Sequence, residues 1–115
     1  MMINQIQDMG SVLAAFFEKI PKKDHQGIFK MFAPDAFVTD FEDNTHRTAS
    51  INNFFRDWPP RTMTLKVEKQ QIVDRMATVS VVLTGGAFVK PQPAKLIISC
   101  NDKWQIRTLK MTIGG

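Results

Sequence analysis

Asp40 is the residue of this sequence whose type and setting best suit proton chemistry. It lies in the stretch MFAPDAFVTDFEDNTHRTASINNFF, residues 31–55, within a short apolar run, AFVTDF, that is typical of a strand. Alternation along that strand places Asp40 on the same side as Ala36 and Val38. A carboxylate at the mouth of an apolar cavity can act as a general base, because loss of water raises the basicity of the anion. The sequence therefore makes Asp40 the candidate catalytic base.

His46 and Arg47 follow on a second short strand, HRT, close enough to lean over the same opening. An Asp–His pair would poise either group for proton transfer near neutral pH, so His46 is the second candidate catalytic residue. A plainer alternative stays open, in which His46 lies on the surface and Arg47 pairs with Glu42 or Asp43. Asp40 could likewise be an exposed carboxylate that backbone N–H groups or an arginine satisfy.

Three helices are predicted in the first half of the chain to position these groups. Each shows apolar residues recurring every three or four positions and ends at or near a proline. The first helix ends before Pro21, and its apolar residues are Ile3, Ile6, Met9, Leu13, Phe16, Phe17 and Ile20. The second begins at the cap Asp24 and ends at APDA, and its buried residues are Ile28, Phe29, Met31 and Phe32. The third is capped by Thr48 or Ser50 and ends at Pro59-Pro60, and its buried residues are Ile51, Phe54, Phe55 and Trp58.

The second half of the chain reads as strands. Alternating or β-branched runs cover residues 62–73, 76–88, 94–100 and 104–113. VDRM and NDK are predicted to be hairpin turns, VKPQP a loop, and Gly85-Gly86 a bulge or sharp bend. Together these elements predict an α+β fold in which a curved antiparallel sheet wraps around the three helices and leaves a conical central pocket.

Composition sets broader limits. With 115 residues, 43% hydrophobic and 23% charged, the sequence predicts one globular domain, residues 1–115. The net charge of +4 comes from scattered Lys and Arg residues, so we expect no nucleic-acid partner. No apolar run could span a membrane, and the lone Cys100 fits a reducing cytoplasm. His25 and His46 are too far apart to form a metal motif, and no cofactor fingerprint occurs, so we expect neither a metal nor a cofactor.

The stretch from Met31 to Phe55 resembles a sequence motif typical of the nuclear transport factor 2-like superfamily, especially its SnoaL-like and ketosteroid isomerase-like branches. The final segment, AKLIISCNDKWQIRTLKMTI, is similar to the usual ending of those proteins. The order of these phrases extends the resemblance over nearly the whole chain. It implies a cystatin-like α+β cone with an open end, usually paired into a homodimer through its sheet.

The resemblance also implies roles for individual residues. Asp40 matches the aspartate that serves as general base in ketosteroid isomerase, an enzyme whose site chemistry is a standard example. Phe16, Phe32 and Phe55 fall where that enzyme has tyrosines, and Leu96 falls where it has a protonated aspartate. Since this chain contains no tyrosine, the donors that stabilise an enolate are missing. We therefore expect no steroid isomerisation and a drier pocket wall formed by Phe16, Phe32, Phe55, Trp58 and Leu96. Two consequences stay open: this wall encloses a cavity for an apolar ligand, or its side chains pack closely enough to leave no cavity.

Two hypotheses follow for the function. In the first, the protein is a small cofactor-free enzyme that acts on an apolar carbonyl or polyketide-like compound with Asp40 as base. In the second, it is a non-catalytic domain that binds an apolar small molecule or works as a dimeric interaction module. A homodimer is expected in either case, because apolar residues such as Ile97 lie on the outer face of the predicted sheet.

Overall fold

The computed structural model describes residues 8–47, 49–60, 62–86 and 88–114. It consists of three helices and six strands. In chain order these are α1 (Met9–Lys19), α2 (His25–Lys30), β1 (Phe32–Thr39), β2 (Thr45–Arg47), α3 (Ala49–Asp57), β3 (Met63–Val73), β4 (Met76–Gly85), β5 (Phe88–Cys100) and β6 (Ile106–Ile113). The predicted α+β fold, with three helices against one curved sheet, is confirmed.

The six strands form a single sheet in the order β2-β1-β6-β5-β4-β3. Neighbouring strands are antiparallel except β1 and β6, which run parallel. The parallel pair brings the segment that leads to Asp40 beside the end of the chain, since Thr39 lies opposite Lys110. Asp40 therefore follows a strand that is paired on both sides, by β2 and by β6.

The helices begin at side-chain caps. The Asp8 carboxylate accepts the backbone N–H of Ser11 at 2.7 Å, and the Asp24 carboxylate accepts that of Gly27 at 3.0 Å. Such caps satisfy N–H groups that the first helical turn leaves without a partner. The cap predicted at Asp24 is confirmed, and Asp8 proves to be the cap of α1 rather than a residue inside it. Ile3, Ile6 and Thr48 lie outside the described residues, and Ser50 lies within α3 rather than capping it.

The apolar faces of the helices and the inner face of the sheet form one core. Each residue of this core has less than one tenth of its surface exposed to solvent. The largest fully buried side chains are Phe16, Phe55, Met9, Leu13, Ile28, Ile51, Leu83, Leu96, Ile98, Ile106, Leu109 and Met111. Among the described residues, no polar or charged residue is buried in this core. The interior of the cone is thus filled by hydrocarbon and aromatic side chains.

Phe32 and the following APDA were predicted to close the second helix, and this was wrong. Helix α2 ends at Lys30, and Phe32 opens β1, where it lies opposite Ile106 of β6. The backbone N–H of Ile106 donates to the Met31 carbonyl at 2.8 Å. Pairing with a distant strand therefore overrides the helical spacing, and the residue before Pro34 is also biased toward an extended backbone.

VKPQP was predicted to be a loop, and this too was wrong, because the segment belongs to β5. Val82 and Leu83 of β4 pair with Pro93 and Gln92 of this segment. Pairing between β5 and β6 begins only at Ala94, so the prolines lie where β5 has an open edge. A proline is tolerated at such an edge because its missing N–H costs no sheet hydrogen bond.

The remaining turns agree with the sequence. A two-residue turn, Asp74-Arg75, joins β3 to β4, and Asp74 has a φ of 52°. At the other end of β4 the register shifts at Gly85, as the glycine pair predicted. Gly85 has a φ of 87°, and a Cβ there would lie 2.1 Å from the Thr62 carbonyl oxygen. Only glycine fits this approach between the chain segments.

Candidate functional site

Asp40 lies one residue beyond β1, at the start of a tight turn, and not within the strand as predicted. Its backbone N–H donates to the Asn44 carbonyl at 2.9 Å. Its Oδ1 accepts the backbone N–H groups of Glu42 and Asn44, each at 2.9 Å. Asp43 in the middle of the turn has a φ of 66°. The carboxylate therefore organises the turn that returns the chain to β2, a common role for aspartate.

The second oxygen of the carboxylate binds His46. Asp40 Oδ2 lies 2.8 Å from His46 Nε2, and the two side chains are 12% and 25% exposed. Strand β2 sets this geometry, because Val38 of β1 pairs with His46 and holds its Cα beside the strand end. A carboxylate only accepts, so Nε2 carries the proton, and Nδ1 lies outside this bond.

Arg47 does not pair with Glu42 or Asp43 in the structure. Its guanidinium lies over the Phe37 ring at 4.9 Å from the centroid. One of the plainer alternatives is observed: backbone N–H groups donate to the Asp40 carboxylate, which also contacts His46. A catalytic role for Asp40 stays a prediction.

The environment of Asp40 has opposing effects on its acidity. Partial burial raises the pKa of the carboxyl, but the hydrogen bond from His46 and the two backbone N–H groups outweigh burial and hold the pKa below its ordinary value. The carboxylate is therefore the charged form at neutral pH. The same stabilisation makes it a weaker proton acceptor than a desolvated carboxylate without donors would be.

Asp40 forms part of the wall of a pocket at the mouth of the cone, with a volume of about 220 Å³. We call this the mouth pocket. Most of its lining is aromatic or aliphatic, and three acidic or indole groups supply polarity. Its lining residues are Asp40, Phe41, Glu42, Phe54, Trp58, Pro60, Met63, Leu83 and Phe88. The volume is smaller than the ~300–1,000 Å³ of drug-sized sites, but an apolar cavity of about 150 Å³ already holds benzene.

His46 opens onto a different surface. It lines a shallow groove together with a stripe of α3 and the residue that follows it: Ser50, Asn53, Phe54, Asp57 and Trp58. The Phe54 ring separates the two sites, with its centroid 4.8 Å from that of His46. The Asp40–His46 hydrogen bond therefore connects the mouth pocket to an open groove lined by both polar and aromatic side chains.

Of the five predicted binding residues, the mouth pocket includes only Trp58. Phe16, Phe55 and Leu96 are at most 1% exposed and Phe32 is 7% exposed, so these four pack in the core. Phe55 contacts Phe16 and Phe32 through ring centroids 5.9 and 5.8 Å away. Packing thus fills the depth of the cone where the resemblance implied a ligand.

The sequence reasoning missed Phe41, Phe88 and Leu83 as pocket residues. Phe41 follows Asp40 directly, and its ring centroid lies 6.2 Å from that of Trp58. Phe88 and Leu83 flank the Gly85-Gly86 bend, which turns both toward the mouth. The glycine pair was the available signal, because a bend next to apolar residues brings them to a rim.

Two further properties concern ions and membranes. Within residues 8–47, 49–60, 62–86 and 88–114, no three His, Cys, Asp or Glu side chains come together as metal ligands. None of the helices in those ranges is both long and apolar enough to cross a bilayer.

Cys100 is buried, and burial raises the pKa of its thiol to about 11.

No family model and no curated protein matches this sequence. Solved structures do match, with TM-scores from 0.73 to 0.78 among proteins with NTF2-like, cystatin-like, ketosteroid isomerase-like and polyketide cyclase-like descriptions.

Three of these illustrate the range. SalBIII, an epoxide hydrolase/cyclase-like enzyme in pyran ring formation in polyether salinomycin, has a TM-score of 0.80 at 14% identity, covering 95% of both chains. An NTF2-like protein of unknown function from Cytophaga hutchinsonii has a TM-score of 0.76 at 8% identity, covering 97% of this chain and 95% of its own. A proposed ketosteroid isomerase from Kribbella flavida has a TM-score of 0.76 at 15% identity, covering 91% of this chain and 76% of its own.

At sequence identities this low, the structural similarity shows the fold alone, and the function must be argued from the site. The TM-scores and coverages show that the overall fold of this chain agrees with these neighbours. The chain has the cystatin-like cone fold of nuclear transport factor 2-like proteins, which SnoaL-like cyclases and ketosteroid isomerase-like proteins also adopt.

Proposed function

We propose that the protein binds a small, largely apolar organic molecule in the mouth pocket. The observation that supports this most directly is the cavity of about 220 Å³ with aromatic walls and the ordered Asp40 carboxylate at its edge. Its size suits a compound of one or two rings. Hydrocarbon walls supply most of the binding free energy, and a few polar groups at the edge fix the orientation of the ligand.

The two tryptophans of the chain allow a direct test. Trp58 lines the mouth pocket, whereas Trp104 lies under the Arg75 guanidinium, 4.0 Å from its ring centroid, and is not part of that pocket. Each indole N–H gives one resonance in a two-dimensional ¹H–¹⁵N spectrum. Trp58→Phe and Trp104→Phe assign the two resonances and serve as matched controls.

We expect titration with 2-indanone, a neutral bicyclic ketone, to shift the Trp58 resonance with saturation and leave that of Trp104 unchanged. Equal, unsaturating shifts of both resonances, or no shift at millimolar ketone, would show that the mouth pocket does not bind such compounds.

A second candidate function is proton transfer beside a carbonyl, and the Asp40–His46 hydrogen bond of 2.8 Å favours it. Asp40 Oδ2 would take the proton next to the carbonyl, the C–H electron pair would form the enolate, and His46 would stabilise the pair electrostatically. Because its hydrogen bonds already stabilise the Asp40 anion, we expect acceleration at the lower end of general-base catalysis, about 10²-fold.

Exchange of the α-protons of 2-indanone in deuterium oxide measures this step without requiring an onward reaction. Exchange above the buffer rate should disappear in Asp40→Asn. It should persist in Asp35→Asn, since Asp35 is an exposed carboxylate that pairs with Arg107 on the sheet. Exchange no faster than buffer, or an equal rate in Asp40→Asn, would leave binding alone as the function of the site.

Association of two copies through the outer face of the sheet remains a proposal. That face presents half-exposed Val82 and Ile97 and the half-exposed Met76 at the hairpin end. Ile97 lies between Thr78 and Lys110 of the neighbouring strands, so a partner would cover both apolar and hydroxyl groups. Light scattering at micromolar concentration should give the mass of a dimer, and Ile97→Lys should give that of a monomer.

A further inference from the structure

The mouth pocket joins aromatic rings to negative charge. Four rings line it, from Phe41, Phe54, Trp58 and Phe88, and two carboxylates stand beside them. The Phe41 and Trp58 rings are inclined at 48° with centroids 6.2 Å apart, so they form adjacent walls. The face of an aromatic ring is negative and attracts a cation within about 6 Å of its centroid. Rings and carboxylates therefore favour the same sign of charge in a ligand.

No lysine or arginine is among the described residues that line this pocket. Where arginines do stack on rings in the described part of the chain, they do so elsewhere: Arg47 lies over Phe37 and Arg75 over Trp104. Among the described residues, the mouth thus combines aromatic walls and carboxylates with no lysine or arginine in its lining, although the chain as a whole has a net charge of +4.

Asp40 retains the capacity to bind a further donor. Its Oδ1 accepts two backbone N–H groups and its Oδ2 accepts His46, which makes three hydrogen bonds. A carboxylate offers about four acceptor positions, so one remains on Oδ2. The hydrogen bonds that hold the pKa of Asp40 down also keep it charged at neutral pH. Glu42 adds a second carboxylate, which forms no ion pair with the described residues.

We infer that the ligand of the mouth pocket is an organic cation, an ammonium group carried on a small apolar ring system. The ring system packs against Met63 and Phe88, while the ammonium lies between the rings and Asp40 Oδ2. This inference rests on the proposed ligand-binding function and narrows its ligand class. An anion of the same shape would meet two carboxylates and the negative faces of the rings, and would be rejected.

Three compounds that share one carbon skeleton test the charge alone: 2-aminoindane as the cation, 2-indanol as the neutral compound and indane-2-carboxylate as the anion. Their dissociation constants are measured at pH 7 and low salt from the shift of the Trp58 indole resonance. We expect 2-aminoindane to bind at least tenfold more tightly than 2-indanol, and the carboxylate to bind at least tenfold more weakly than 2-indanol.

Two variants locate the origin of the preference. Asp40→Asn should remove most of the advantage of the amine over the alcohol. Glu42→Gln, which changes an exposed side chain outside the core, should reduce that advantage by a few fold and keeps the test decisive if Asp40→Asn does not fold. Glu18→Gln, an exposed carboxylate on α1 paired with Lys22, should leave all three constants unchanged.

The outcomes separate the two proposals. Equal saturable binding of all three compounds, or tighter binding of the anion, would overturn the cation inference while the binding function stands. No saturable shift with any of the three would overturn both. The inference would also be overturned if the preference for the amine were unchanged in both Asp40→Asn and Glu42→Gln, because the two carboxylates would then not be its source.

Discussion

Phe54 and Phe55 are neighbours on α3 but belong to different regions of the molecule. Phe55 is 1% exposed and packs against Phe16 and Phe32 in the interior. Phe54 is half-buried, stacks on Trp58 and lies beside His46 at the mouth. One residue along a helix turns the side chain by about 100°, which here is the difference between core and pocket wall.

The two regions use aromatic rings for different purposes. In the interior the rings fill space, and no polar or charged residue of the described chain is buried among them. At the mouth the rings surround a cavity and stand beside Asp40, whose carboxylate has three donors. Apolar filling stabilises the fold, whereas rings beside an ordered charge create a place where a ligand can be recognised.

The largest expected effect concerns the interior. Phe55→Ala should lower the free energy of unfolding by about 3–5 kcal/mol, because it leaves a cavity that the surrounding core can only partly close. Phe54→Ala, the adjacent control, should cost clearly less, since its ring is already half-exposed. Urea unfolding followed by circular dichroism measures both. Equal losses for the two variants would mean that the interior and the mouth are not distinct regions.

A smaller effect is expected from the charge at the mouth. Asp40→Asn should destabilise the protein by about 1.5–3 kcal/mol at pH 7, since it replaces a charged acceptor of three hydrogen bonds by a neutral amide whose NH₂ group cannot accept the His46 N–H. Because the pKa of Asp40 is lower in the folded than in the unfolded chain, its contribution is present above about pH 4 and is lost as the pH falls through the folded pKa.

The difference between wild type and Asp40→Asn should therefore shrink between pH 6 and pH 3 in denaturant titrations. Comparing the two proteins at each pH cancels the titration of Asp8, whose pKa is also lowered, by its hydrogen bonds with Ser11. A difference that stays constant or grows toward pH 3 would contradict a stabilised carboxylate.

A further effect concerns the bend beside the rim. Gly85→Ala should destabilise by more than about 1 kcal/mol, because an alanine there needs a positive φ and meets the Thr62 carbonyl. Gly10→Ala is the matched control, since a Cβ in α1 would make only an ordinary contact of 3.5 Å with Asp8. That change should raise stability by about 0.5–1 kcal/mol. Thermal melts of both variants decide the matter, and stabilisation by Gly85→Ala would refute the close approach.

Local patterns predicted much of the architecture but only the strand pairings within hairpins, β3 with β4 and β5 with β6. The VDRM hairpin, the Asp24 cap and the Gly85 bend were correct because each depends on a few adjacent residues. Phe32 was misassigned because its strand pairs with Ile106, 74 positions later in the numbering of the chain. VKPQP was misassigned because its prolines are typical of a loop. They are tolerated in β5 because β6 ends before it reaches them, and a local sequence pattern does not show where a neighbouring strand ends.

The site shows the same division. The sequence by itself determined the residue types, an aspartate with a histidine six positions later and several phenylalanines without tyrosine, since residue types and short-range spacing are properties of the chain. Only the tertiary structure decided that Phe16, Phe32, Phe55 and Leu96 fill the interior. It alone brought Phe41, Leu83 and Phe88 together around Asp40, because burial depends on which distant elements meet.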